Sequence, residues 1–230
     1  MMTPFDWQEG IATRAQYIES RLMAGTPVVA VSLDAGILIF TVRRQAPKIF
    51  EIYDRLAYAA IGQLSDVESM RVAALDFAHQ EGFQRSEQDV TIQRVVNALS
   101  QPLKRAFGDL TAAPLIVRSL FAELGKTPSE DLFYLVDYDG DFSIRRGSAY
   151  LPGGAEAAEK LKEGLSKLDF AKKTPEAALE LLKPVLALAI DPSGSKSFES
   201  LTELLVPEAA LLERVVVGDD RFRIMPPPAE

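Results

Sequence analysis

Residues 28–42 read VVAVSLDAGILIFTV. Two apolar, β-branched runs, Val28–Leu33 and 37–42, are parted by Asp34-Ala35-Gly36. Branched side chains suit an extended backbone, and a short Asp- and Gly-containing break between two such runs predicts a hairpin. The pattern repeats at once, because Ile49–Tyr53 and 56–61 flank Asp54-Arg55. Four short strands in succession set the fold class. Just upstream, Ile11, Ala15, Ile18 and Leu22 recur at helical spacing within residues 9–23, which predicts an amphipathic helix stopped by Gly25 and Thr26-Pro27. Residues 1–8, MMTPFDWQ, show no period and are expected to form a loose arm.

Downstream, Ser65-Asp66-Val67-Glu68 has the form of a capping box, in which the Ser oxygen accepts from the third helical amide and the Glu reaches back. Val67, Met70, Ala74, Leu75 and Ala78 then make an apolar stripe expected to end at Gly82. A second helix is expected from Ser86, with Asp89 in its first turn and Val95, Val96, Leu99 and Leu103 on its apolar side. Strands return at 115–121, 132–138 and Phe142–Arg145, the last two joined by the turn signal Asp139-Gly140, and Gly153-Gly154 closes the sheet. Two more helices follow at 155–168 and 174–189. Thr174 and Pro175 suit the cap and first helical position, and Pro184 is expected to kink the second. Residues 198–205 are amphipathic but short, and 212–217 with 222–224 predict a closing hairpin before a stiff polyproline-like tail at 226–230. Strands separated in blocks from helix pairs argue an α+β fold with antiparallel sheets, built as a four-layer α-β-β-α sandwich with an extra N-terminal helix. One domain, 9–225, is expected between the arm and the tail.

Composition narrows the chemistry. The chain has 230 residues, 47% of them apolar, and a formal net charge of −8. It has no cysteine, which removes disulfides, thiolate nucleophiles and thiolate metal sites and suits a reducing compartment. His79 is the single histidine, so a multi-histidine metal centre is impossible. The acidic balance argues against nucleic-acid binding, and no apolar run approaches a membrane span. The first nine residues carry Asp6 and Glu9 and lack the pattern of a signal peptide, so a soluble cytoplasmic protein is expected. Asp137, Asp139 and Asp141 alternate like calcium ligands, but no glutamate follows at ligand spacing, and a hairpin tip explains them better. Lys160, Lys162, Lys167, Lys172 and Lys173 alternate with glutamates and read as a solvated helix face. No metal and no cofactor is expected.

In their order, these segments resemble the α-type subunits of the proteasome core particle, most closely the short actinobacterial ones. The resemblance is carried by the N-terminal helix leading into Val28-Val29-Ala30-Val31, by Gly36-Ile37-Leu38-Ile39, and by Lys48-Ile49-Phe50-Glu51-Ile52-Tyr53-Asp54-Arg55. Tyr58-Ala59-Ala60-Ile61-Gly62, Phe77-Ala78, Gly82-Phe83 and Asp89-Val90-Thr91 continue it, persuasively over residues 8–124 and only generally after Lys172. It implies the sandwich of N-terminal-nucleophile hydrolases and a homo-heptameric ring that does no proteolysis itself. Such a ring caps a β-subunit ring, narrows the entry of unfolded protein substrates with its N-terminal arms, and receives the C-terminal tails of ATPase activators in pockets between neighbours.

The same resemblance raises a rival. Catalytic β subunits use an N-terminal threonine freed from a propeptide, tuned by an acid and a lysine. Thr26, after Gly25, stands at the threonine's place and Lys48 at the lysine's. The acid's place holds Val42, Pro27 departs from the catalytic pattern, and the Gly-Ser run expected near Gly153-Gly154 lacks its serine. A non-catalytic α subunit therefore stands against a self-processing peptidase with residues 1–25 as propeptide, and against a stand-alone paralogue ring. For the α subunit the resemblance makes Lys48 the partner of an activator's terminal carboxylate, where spacing alone would give an exposed lysine opening a strand. It makes Phe5, Asp6 and Trp7 gate residues, against the alternative of a frayed terminus. It makes Ile11, Ala15, Ile18 and Leu22 contacts to the neighbouring subunit.

Overall fold

Thr3 caps the first helix, and the structure, a computed structural model that describes residues 3–216 and 220–225, starts there. The Thr3 hydroxyl accepts from the Asp6 amide and the Asp6 carboxylate accepts from the Thr3 amide, a complete capping box with Pro4 at the first helical position. Helix α1 therefore runs Pro4–Leu22. The expected loose arm over 1–8 is corrected: from Pro4 it is the first turns of this helix, which the apolar period could not reveal because Phe5, Asp6 and Trp7 are exposed.

Next come β1 (Val28–Leu33), β2 (Gly36–Arg43), β3 (Ile49–Tyr53), β4 (Leu56–Gly62), α2 (Leu64–Gln84), α3 (Ile92–Gly108), β5 (Val117–Glu123), β6 (Leu132–Val136), β7 (Phe142–Arg145) and β8 (Ser148–Leu151). Helices α4 (Ala155–Ser166), α5 (Pro175–Ile190) and α6 (Phe198–Thr202) and strands β9 (Val206–Glu213) and β10 (Phe222–Met225) complete the chain. Two antiparallel sheets result, ordered β10-β9-β2-β1-β8 and β3-β4-β5-β6-β7. The β1–β2 hairpin pairs Val28 with Thr41 and Leu33 with Gly36, and β2 pairs β9 with Val42 opposite Pro207.

Period-two alternation sorts the strand side chains into layers. Val29, Val31, Leu33, Leu38, Phe40 and Val42 pack with α4, α5 and α6. Their neighbours Val28, Ala30, Ile37 and Ile39 face the second sheet, meeting Ala57, Ala59 and Ile61. Leu56, Tyr58 and Ala60 point the other way onto α2 and α3. Each central strand is thus covered on both faces, which is why its sequence is continuously apolar and does not alternate. The expected α+β sandwich with an N-terminal helix is what forms.

Several local readings are corrected. Gln63, not Ser65, precedes α2, and no side chain caps it. Ser65 instead donates to Asp66, Asp66 accepts the Ile116 amide, and Glu68 pairs with Arg71, so tertiary and i,i+3 partners outcompete the local box. Helix α2 continues through Gly82, whose bare Cα leaves room for the Tyr53 hydroxyl. Residues 87–89 form a 3-10 turn before α3, with Ser86 donating to Asp89. Strand β8 was not expected, and β9 begins at Val206 because Pro207 at a strand's start breaks no core ladder. Val217 and the tail at 226–230 lie outside the described residues. Gly140 takes φ +83° at the Asp139-Gly140 turn, where a Cβ would strike the backbone of α3, and the Ser100 hydroxyl donates to its carbonyl at 2.6 Å.

Candidate functional site

The segment between α1 and β1, the loop after β2 and the end of β4 meet around a cavity of about 560 Å³. Gly25, Thr26, Arg43, Arg44, Pro47, Lys48 and Gly62 line it, with Leu64 and Val67 of α2. Sheet order explains the meeting. Strands β1 and β2 are neighbours, so Thr26 ahead of β1 comes beside the end of β2, and Lys48 ahead of β3 reaches across from the other sheet. Gly153, after β8, lies so close to the Gly25 carbonyl that any Cβ there would collide with it, which makes glycine a requirement of this corner.

Lys48 is the centre of the site. Its ammonium donates to the Thr26 carbonyl at 2.7 Å and to the Thr26 hydroxyl. The Thr26 hydroxyl in turn donates to the Val42 carbonyl at 2.6 Å. Two of three ammonium donors are thus engaged on one residue, and the third is left for the cavity. Burial pulls the amine's pKa down from 10.5 to about 8, a fall opposed by the charge of Glu208. At neutral pH Lys48 remains a cation at the foot of a cavity, a receptor for a carboxylate.

Glu208 was missed by the sequence reading. Both its oxygens accept the Lys48 amide at 3.0 Å, one also accepts the Ile49 amide at 3.1 Å, and Arg43 lies 3.6 Å away. Burial pushes its carboxyl up, and the two amides and Arg43 pull against that. It holds the backbone from which Lys48 projects. The available signal was a lone glutamate ahead of the apolar run Ala209-Ala210-Leu211-Leu212, hidden because the strand was expected to start at 212.

Val42, at the place of the catalytic acid, is fully buried, and its side chain packs in the core beside α4 and α5. Only its carbonyl meets Thr26. Position 42 therefore supplies no side-chain base or charge, and the nearby Glu208 carboxylate is occupied by backbone donors. Thr26 itself is an internal residue whose nitrogen is part of a peptide bond with Gly25. With its pKa drawn down to about 8, Lys48 is mostly the protonated donor at neutral pH, a form that does not take the hydroxyl's proton.

Helix α1 divides its residues between two roles. Phe5 and Trp7 are 73% and 46% exposed. Asp6 is held below the usual carboxylate range by its hydrogen bonds to Thr3, so its carboxylate serves the helix cap. Ile18 and Leu22 have no exposed surface and belong to the chain's own core between the sheets. As contacts to a neighbouring subunit they are corrected: this helix needs them to dock on its own body. Ile11 and Ala15 are partly buried; Tyr17 is a further exposed apolar side chain on this helix, and Met23, just past its end, is another. The helix is clamped at two points. Arg14 donates to the Ala106 carbonyl in the last turn of α3 and to the Ala112 carbonyl in the loop that follows, and Glu19 accepts from Arg118, which also binds Asp137.

His79 is exposed and stands edge-on to Tyr53 at 5.4 Å. Asp139 accepts the Asp141 amide at the hairpin tip, while Asp137 serves Arg118 and the Tyr138 amide. Among the described residues no helix is long and apolar enough to cross a membrane.

Residues 23–200 match the family model described as "Proteasome subunit". The chain is 36% identical over 171 residues to "Proteasome subunit alpha" of Xylanimonas cellulosilytica, covering 70% of each chain. It is 33% identical to the protein of the same name from Actinosynnema mirum, covering 91% of this chain and 77% of the relative. It is 30% identical to that of Streptomyces scabiei, covering 97% and 88%.

Proposed function

The chain belongs to the proteasome subunit family as an α-type subunit, and on that premise we propose that it is a non-catalytic ring subunit that admits substrate to a proteolytic chamber. Seven copies would form the outer ring, stacked on a ring of β subunits in the cytoplasm, with unfolded protein as the substrate passing through. The observation that supports this best is Lys48: a partly buried ammonium with a spare donor, at the foot of a cavity, held in place by Glu208. A chain end brought by an ATPase ring carries one terminal carboxylate, which a single point cation recognises well. The exposed Phe5 and Trp7 at the start of α1 are the gate residues in this proposal.

The test is a reconstituted particle carrying Lys48→Ala. Assembly and basal peptide cleavage are expected to stay, and ATPase-stimulated protein degradation is expected to fall to the unstimulated level. Full stimulation in the variant would remove Lys48 from the docking role.

One observation keeps the self-processing reading in view: Lys48 does reach the Thr26 hydroxyl. The intact mass of the chain, purified after co-expression with a β partner, decides it. Retention of residues 1–25, allowing for loss of the initiator methionine, is the expected result, and a species beginning at Thr26 would make the chain a peptidase.

A further inference from the structure

A second cavity, of about 590 Å³, is lined by Arg55, Gln88, Leu124, Gly125, Lys126, Arg214 and Arg221 and shares no residue with the Lys48 site. Arg55 belongs to the β3–β4 turn, Lys126 follows β5, and Arg214 and Arg221 lie between β9 and β10, so three separate turns bring four cations to one hollow. That concentration stands out in a chain of net charge −8.

The four cations differ in how far their donors are used. Arg214 is a strut: its guanidinium grips the fully buried Asp131 through two bonds of 2.9 and 2.8 Å and also donates to the Leu33, Asp34 and Gly125 carbonyls. Arg221 spends Nε on Asp54 at 2.9 Å and one terminal nitrogen on the Glu213 and Arg214 carbonyls, leaving the other without a hydrogen bond among the described residues. Among the described residues Arg55 has only long ion pairs, 3.6 Å to Glu123 and 3.9 Å to Asp54. Those carboxylates are already engaged, Glu123 by the Ile92 amide and Asp54 by Arg221. Lys126 is exposed, and its ammonium makes no hydrogen bond among the described residues. The charged side chains lining the hollow are therefore all donors, several with unused N–H groups, and the carboxylates behind them are occupied. A concavity whose charged groups are all cations, with the neutral Gln88 amide as the one other polar side chain lining it among the described residues, is complementary to an oxyanion.

We propose that this hollow is a binding site for a small, multiply charged phosphate anion, held by Arg55, Lys126 and Arg221 with Arg214 as the fixed wall. The planar forks of Arg55 and Arg221 match phosphate oxygens, and Lys126 adds a mobile charge at the mouth. Among the described residues no aromatic side chain lines the hollow and offers a platform for a nucleotide base, so the group recognised in this proposal is the phosphate itself.

Inorganic pyrophosphate is the probe, titrated calorimetrically into the full chain at constant ionic strength. Arg55→Gln and Lys126→Gln each remove a positive charge without touching the Arg214–Asp131 strut, and Lys162→Gln on the exposed face of α4 removes the same charge elsewhere. Saturable binding to the wild type is expected, weakened roughly tenfold or more by each of the first two changes and unaltered by the third. Should Arg55→Gln fail to fold, the exposed Lys126 decides the matter. Absence of saturable binding into the millimolar range, or equal weakening by Lys162→Gln, would overturn the site.

Discussion

Replacing Lys48 by methionine tests the electrostatics of the candidate site apart from any partner. The amine's pKa is about 8 in the fold against 10.5 for the free side chain. The folded pKa lies below the unfolded one, so between these values the unfolded chain binds more protons. Stability contributed by this group therefore rises with pH across the window from about 8 to 10.5 and carries its full penalty below pH 8. At one pKa unit per 1.36 kcal/mol the penalty at pH 7 is about 3 kcal/mol, and about 2 kcal/mol of it is relieved by pH 9.5. Methionine keeps the length, carries no charge and loses two hydrogen bonds to Thr26, which offset about 2 kcal/mol of the gain. Lys48→Met is thus expected to be at least as stable as the wild type at pH 7 and to lose that advantage at pH 9.5. The assay is urea unfolding of both chains at the two pH values, and the quantity read is the change in their stability difference. For a chain of this length about 2 kcal/mol corresponds to about 4–8 °C in melting temperature, well within reach of a thermal scan. A stability difference that stays constant between pH 7 and 9.5 would refute the reasoning, because it would mean the amine titrates at the same pH in both states.

Two further outcomes are expected. Asp131→Ala leaves the Arg214 guanidinium without its buried partner and the Gly125 amide without its acceptor, so a loss of about 3–5 kcal/mol is expected by urea denaturation. A loss below 1 kcal/mol would show that water replaces the carboxylate. Deleting residues 2–8 removes Phe5, Asp6 and Trp7 with the Thr3 cap, and basal entry of unfolded substrate into a reconstituted particle is expected to rise; unchanged entry would take the gate role from them.

The fold was largely legible because its decisive segments are extreme in composition. Strands covered on both faces must be apolar at nearly every position, so Val28–Leu33, with Ser32 its one polar residue, stands out without any partner being known. The edge strand Ile49–Tyr53 is only half-buried and admits Glu51. The helix of residues 9–23 announced itself through Ile18 and Leu22, which a core truly buries, while its first turns were hidden because solvent-exposed positions carry no period. Strand β8 escaped notice: its four residues form a strand only by pairing with β1. The capping box at Ser65 failed for the same reason in reverse, since a favourable local pattern gave way to the Ile116 amide arriving from another segment.

The candidate site was legible only in part. Lys48 and Thr26 could be named in sequence, but not that they touch, nor that Val42 turns its side chain into the core. Glu208 showed in sequence only as a lone glutamate ahead of an apolar run, and its role stayed hidden because it lies in two amides 160 and 159 residues away. The four cations of the second cavity are likewise scattered over three turns. The sequence by itself determined the layers, since burial of apolar faces is a property each segment carries locally in its own pattern. The tertiary structure alone decided which polar groups are paired and which are left free, because a hydrogen bond is short and directional and exists only once distant segments have met.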